Sequence, residues 1–108
     1  MMILYGISTC DTCKKAQKEL TAAGHQVTFR DVRATPLSAD EIDRLVGTFG
    51  DAIINKSSTT YRSFGEFLKA SDPEAQLAAQ PAVMKRPVIE RDGALTMGWD
   101  ETVRAKYL

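Results

Sequence analysis

With 108 residues, 44% of them hydrophobic, the chain has material for one compact domain with a single core and not for two ordinary ones. Its 14 basic and 14 acidic residues cancel, so the charge balance announces neither a nucleic-acid surface nor a membrane surface. No stretch approaches the roughly 20 apolar residues of a bilayer-crossing helix, and no basic region followed by a long apolar run stands at the N-terminus. The expectation is a cytoplasmic protein without membrane or direct nucleic-acid contact.

Ile3, Leu4 and Tyr5 read as a short buried strand, Gly6 to Thr9 as a turn, and the residues from Asp11 onward as a helix. Both cysteines, Cys10 and Cys13, stand where turn becomes helix. At a helix N-terminus the dipole and the unpaired N–H groups stabilise a thiolate, and Lys14 and Lys15 add positive charge nearby. Cys10 is therefore the expected nucleophile, Lys14 the residue that tunes its ionisation, and Cys13, within disulfide reach on the first turn, the expected resolving cysteine. In a reducing compartment a Cys-x-x-Cys is a redox or metal site before it is a structural staple. The plain alternative is two small buried residues that happen to share this spacing; their placement at a helix start favours redox chemistry. A structural zinc would need four ligands, yet there is no second cysteine pair and His25 is the only histidine, so no metal is expected. A phosphatase-type loop is also absent, since Ala16 and Glu19 stand where its arginine would follow Cys10 or Cys13.

Farther along, Ala16, Leu20 and Ala23 continue the helix to a Gly24 cap, and the alternating segment from Gln26 to Val32 supplies a strand parallel to the first, completing a β-α-β unit. His25, just after the cap, is expected to be exposed and not catalytic. Pro36 breaks the chain, and Ser38 with Glu41 forms a capping box ahead of Ile42, Leu45, Val46 and Phe49. That helix should end near Gly47 to Gly50. Short helical pieces follow from Asp51 to Gln80, one of them starting at Asp72-Pro73, and Tyr61 and the phenylalanines are expected to pack inward. The segment from Ala82 to Glu90 leads into a strand, Asp92-Gly93 is a hairpin turn, Ala94 to Met97 returns antiparallel, and Trp99 to Tyr107 forms a closing helix with Trp99, Val103 and Tyr107 inward.

The order β-α-β, helices, β-β-α, with Cys-x-x-Cys after the first strand, is the plan of an α/β, thioredoxin-like fold with a mixed four-stranded sheet. Residues 1–108 form one domain carrying a helical insertion at about 38–82. In this architecture the pair entering the third strand lies beside the dithiol, which singles out Arg86-Pro87 and leads to the expectation of a cis peptide bond there. Taken on its own, Arg86 reads first as a surface charge flanking a rigid proline.

With Cys10-Asp-Thr-Cys13-Lys-Lys-Ala16, Lys85-Arg86-Pro87 and Met97-Gly98-Trp99 on one chain, the sequence resembles the arsenate reductase/Spx family along nearly its whole length, and most closely the small YffB-like branch. The resemblance implies a reactive cysteine at Cys10 and an arginine at Arg86 that helps to bind an oxyanion, with Pro87 beside it. Arsenate reductases of this type use two further arginines, which correspond to Asn55 and Gly98 here, and charge-assisted hydrogen bonds of that kind are worth about 1.5–3 kcal/mol each. Cys13 looks like the partner in the Spx redox switch, although the Spx-type arginine in the insertion corresponds to Ser57. The resemblance thus implies a monomeric thiol–disulfide oxidoreductase with no bound cofactor and with glutathione or another small thiol as co-substrate. The alternatives it carries are a redox-sensing regulator that binds RNA polymerase and an arsenate reductase linked to glutathione and glutaredoxin.

Overall fold

A computed structural model describes all 108 residues, Met1–Leu108. In chain order the elements are β1 (Met2–Gly6), α1 (Asp11–Ala22), β2 (Val27–Asp31), α2 (Ala39–Phe49), α3 (Thr59–Arg62), α4 (Glu66–Lys69), α5 (Pro73–Ala79), β3 (Val88–Arg91), β4 (Ala94–Met97) and α6 (Glu101–Tyr107). They fall into two units, one made of Met1–Ala34 with Arg86–Leu108 and the other of Thr35–Lys85.

The first unit is a thioredoxin-like α/β layer around a mixed sheet of order β2-β1-β3-β4. β1 pairs parallel with β2 and antiparallel with β3, and β3 pairs antiparallel with β4. Central strand β1 turns Met2 and Leu4 toward the helices, as the two-residue period of a strand requires. Onto that face α1 presents Cys13, Ala16 and Leu20, spaced three and four apart, and Trp99, Val103 and Tyr107 complete the core with Ile89. Polar ties close the layer at its edges. The Trp99 Nε1–H donates to Glu19 Oε1 at 2.7 Å, and Arg104 donates to both oxygens of the same carboxylate. At the hairpin, Asp92 and Gly93 have φ of 52° and 83°, the left-handed pair that a two-residue turn between twisted strands demands.

Three expectations change. The closing helix begins at Glu101, not Trp99, because the Asp100 side chain accepts the Val103 N–H at 2.9 Å and caps it; Trp99 is buried just ahead of the helix. His25 is half-buried rather than exposed, its Nε2 lying 2.8 Å from the Tyr107 carbonyl oxygen. Phe67 does not pack at all: it is 89% exposed on the single-turn helix α4.

The second unit opens with the capping box on α2, in which the Ser38 hydroxyl accepts the Glu41 N–H and the Glu41 carboxylate accepts the Ser38 N–H. Ile42, Leu45, Ile53, Phe64, Leu77, Val83 and Met84 are among its buried side chains, and Tyr61 tilts against Phe64 with ring centroids 5.8 Å apart.

Leu20, fully buried at the centre of the first unit, should be the costliest point for a truncation in α1. Leu20→Ala is expected to lower unfolding free energy by about 2–5 kcal/mol, measured as a lower urea midpoint at an unchanged slope.

Candidate active site

β1 ends at Gly6, and the chain turns through Ile7, Ser8 and Thr9 to reach Cys10, which stands in extended geometry (φ −86°, ψ 115°) as the N-cap of α1. The backbone of this turn is held by the Cys10 N–H, which donates to the Ile7 carbonyl at 3.1 Å, and by the Lys14 N–H, which donates to the Cys10 carbonyl at 3.0 Å. Normally a hydroxyl or carboxylate oxygen receives the orphaned N–H groups of a helix start. Here a sulfur does so: the Cys13 N–H points at Cys10 Sγ across 3.4 Å. Both cysteines are free thiols, Cys10 half-buried and Cys13 sealed from solvent.

Burial pushes the Cys13 thiol from an ordinary 9.0 up to about 12, and its hydrogen bond with the Cys10 side chain acts in the same direction; a hydrogen bond from the Ile7 backbone and the Arg86 charge oppose them without prevailing. Cys13 is therefore a neutral thiol at working pH. Its sulfur occupies space that only a glycine at the end of β1 leaves open, since a Cβ on Gly6 would stand 2.6 Å from Cys13 Sγ. Nothing in the sequence marked Gly6 for this purpose beyond its place in a turn.

Tyr5 of β1 faces Val88 of β3 in the antiparallel register, so Pro87 and Arg86 continue that strand alongside the cysteine loop. The Arg86–Pro87 peptide is cis, as expected, and Pro87 is fully buried. Arg86 is half-buried; its Nη1 is out of contact with solvent and has no hydrogen-bond partner. An unpaired buried guanidinium nitrogen is costly, and an anion is the natural group to satisfy it. Lys14 lies exposed on the first turn of α1, tied to Cys10 through its backbone. Cys10, Cys13, Arg86 and Pro87 are thus neighbours, with Lys14 on the rim.

Two positions that correspond to arginines in the arsenate reductases serve the backbone here. Gly98 has φ of 89°, a conformation an arginine would adopt only under strain. Asn55 shapes a turn, its Oδ1 accepting the Ser57 N–H at 3.1 Å. A residue that sequence reading passed over, Asp31, closes β2 and accepts the Ser8 N–H at 3.0 Å. No group of three or more His, Cys, Asp or Glu side chains gathers to hold a metal, and no helix is long and apolar enough to cross a membrane.

Known proteins resemble this chain in sequence and fold. The model of the ArsC family matches residues 5–106. An uncharacterized protein of Haemophilus influenzae is 36% identical over 106 residues, spanning 94% of this chain and 93% of its own. The global transcriptional regulator Spx of Bacillus subtilis is 28% identical over an alignment of 118 residues, spanning 100% of this chain and 87% of the regulator. Among solved structures, the YFFB protein superposes with a TM-score of 0.89 at 32% identity, covering 100% of this chain and 99% of that one.

The raised Cys13 value sets a sign for stability against pH. Between the ordinary 9.0 and about 12 the unfolded chain releases the Cys13 proton while the folded one keeps it, so this contribution is complete below pH 9 and is lost as pH rises through that window. Urea unfolding at pH 8 and pH 11 should show a steeper loss of stability for the wild type than for Cys13→Ala.

Proposed function

Because the chain belongs to the ArsC family, we propose that it is a thiol–disulfide oxidoreductase working with glutathione or another small thiol. The observation that carries this reading is the pairing of a half-exposed sulfur, capping α1 and accepting the Cys13 N–H, with a neutral thiol sealed directly behind it. A helix-capping sulfur is favoured as thiolate, the form that attacks.

In the reaction, the Cys10 thiolate attacks one sulfur of a disulfide. The substrate S–S bond breaks, its departing thiolate leaves with the electron pair and takes a proton from solvent, and Cys10 is left in a mixed disulfide. Cys13 then gives up its proton and attacks Cys10 Sγ. The 10–13 disulfide forms, the second substrate thiolate departs and is protonated, and the dithiol has lost the two electrons that the substrate gained. Two molecules of a small thiol such as glutathione restore the dithiol and leave as their own disulfide. Removal of the Cys13 proton is the demanding step, given its raised value. The open Nη1 of Arg86 supports a role in holding an anionic group of the thiol, such as a glutathione carboxylate. Lys14 supplies positive charge at the mouth of the helix, and Pro87 keeps the backbone that carries Arg86 beside the loop.

A second reading is favoured by the whole-length similarity to Spx. In it, formation of the 10–13 disulfide switches a surface that binds RNA polymerase, and no turnover occurs. Arsenate reduction linked to glutathione and glutaredoxin has less support, because a glycine at positive φ and a turn-forming asparagine stand where two anion-binding arginines would be needed.

Mass spectrometry after treatment with diamide and glutathione tests the proposal. The wild type should pass through a glutathione adduct on Cys10 to the 10–13 disulfide, Cys13→Ala should stop at the adduct, and Cys10→Ser should give neither. Identical adducts on wild type and Cys10→Ser, with no 10–13 disulfide in the wild type, would show the mechanism to be wrong. Retention of RNA polymerase by the oxidised form alone, without glutathione-dependent reduction of a different small disulfide such as bis(2-hydroxyethyl) disulfide, would select the regulator.

A further inference from the structure

We propose that Asp31 is a positioning residue of the dithiol: its carboxylate clamps the Ser8 backbone amide and thereby fixes the loop that presents Cys10. The parallel register pairs Gly6 with Asp31, so the end of β2 stands beside the point where β1 runs out and the cysteine loop begins. The Val32 N–H donates to the Gly6 carbonyl at 2.9 Å as a last rung between the two segments. Beyond it, Ser8 and Thr9 are exposed and have no strand neighbour. The Ser8 hydroxyl also bonds to the Asp31 carboxylate, and two backbone hydrogen bonds hold the stretch. One is internal, from the Cys10 N–H to the Ile7 carbonyl, and the other reaches out from the Ser8 N–H to Asp31 Oδ2 at 3.0 Å.

Asp31 is itself a firm anchor. Its second oxygen, Oδ1, accepts the N–H groups of Arg33 at 2.8 Å and Ala34 at 3.0 Å, which locks the side chain into the turn that follows β2. The backbone hydrogen bonds from Ala34, Ser8 and Arg33 hold the carboxyl below its usual range, so both oxygens act as acceptors at working pH. Ser8 lies two residues before Cys10, and the contact that makes Cys10 a cap, from the Cys13 N–H to Sγ, is already at 3.4 Å. A drift of the loop therefore moves Cys10 Sγ away from the Cys13 N–H that it caps.

Asp31→Asn isolates the clamp. The amide oxygen can still accept from Arg33 and Ala34, because asparagine forms the same turn, but the new NH2 then meets the Ser8 N–H, donor against donor, and keeps only the Ser8 hydroxyl as a partner, so the backbone clamp is lost.

The inference rests on Cys10 being the nucleophile of the proposed reaction, and its readout is separate from turnover. Peptide-resolved iodoacetamide labelling of Cys10 in the full chain, followed against pH, should place the midpoint for Asp31→Asn higher than wild type by about half a pH unit or more. In the wild type the exposed Ser8 amide should exchange with deuterium slowly, and at least about tenfold faster in the variant. A midpoint that stays or falls would overturn the clamp. So would a Ser8 amide that exchanges at the unprotected rate in the wild type, a measurement that decides the matter even if the variant does not fold. Failure of the proposed function would instead appear as a wild type that never forms a mixed disulfide, whatever Asp31 does.

Discussion

The chemistry of this chain depends on one contact, the N–H of Cys13 directed at the sulfur of Cys10 where α1 begins. A helix start has donors to spare and a positive dipole end, and a side chain placed there as a cap is drawn toward its anionic form. Serine or aspartate in that place would make a structural cap and nothing more. Sulfur makes the same cap, and in the function proposed it is the nucleophile. The strand, turn and helix that bring Cys10 to this position are also the pieces that bury Leu4 against Leu20 in one core, so the site and the core share their supports.

Asymmetry between the two cysteines follows from the same local geometry. One turn into α1, Cys13 faces inward with Ala16 and Leu20 and lies over Gly6, whose missing side chain leaves room for its sulfur. Cys10, on the cap, stays partly open to a reagent. The outer sulfur is within reach of a reagent and the inner one is not. Arg86 stands just ahead of β3, with a buried nitrogen that no protein group satisfies. Such an open donor suits an anionic group better than a neutral one.

What could be read in the sequence was whatever lies within a few residues. The passage from Ile3 to Cys10 to Leu20 shows its strand, turn and helix through apolar spacing, Ser38 and Glu41 show their capping box, and Asp92-Gly93 shows its hairpin. Contacts between distant residues were not legible. Ser8 meets Asp31, and His25 meets the carbonyl of Tyr107, only because parallel pairing and helix packing bring them together. The fit of Cys13 over Gly6 is likewise a matter of tenths of an ångström that spacing does not encode. Phe67 followed the apolar pattern of its neighbours and still faces solvent, because a single-turn helix is too short for periodicity to determine its facing. The start of the last helix could have been found: Asp100 is a better cap than any residue before it.

The difference between the outer and inner sulfur is open to a direct measurement. Native, reduced protein is given one equivalent of iodoacetamide at neutral pH, quenched early and digested, and the label is counted on each cysteine. Modification should fall on Cys10 almost alone, with Cys13 reacting only after denaturation. Equal labelling of the two, or preference for Cys13, would contradict the division of roles on which the chemistry rests.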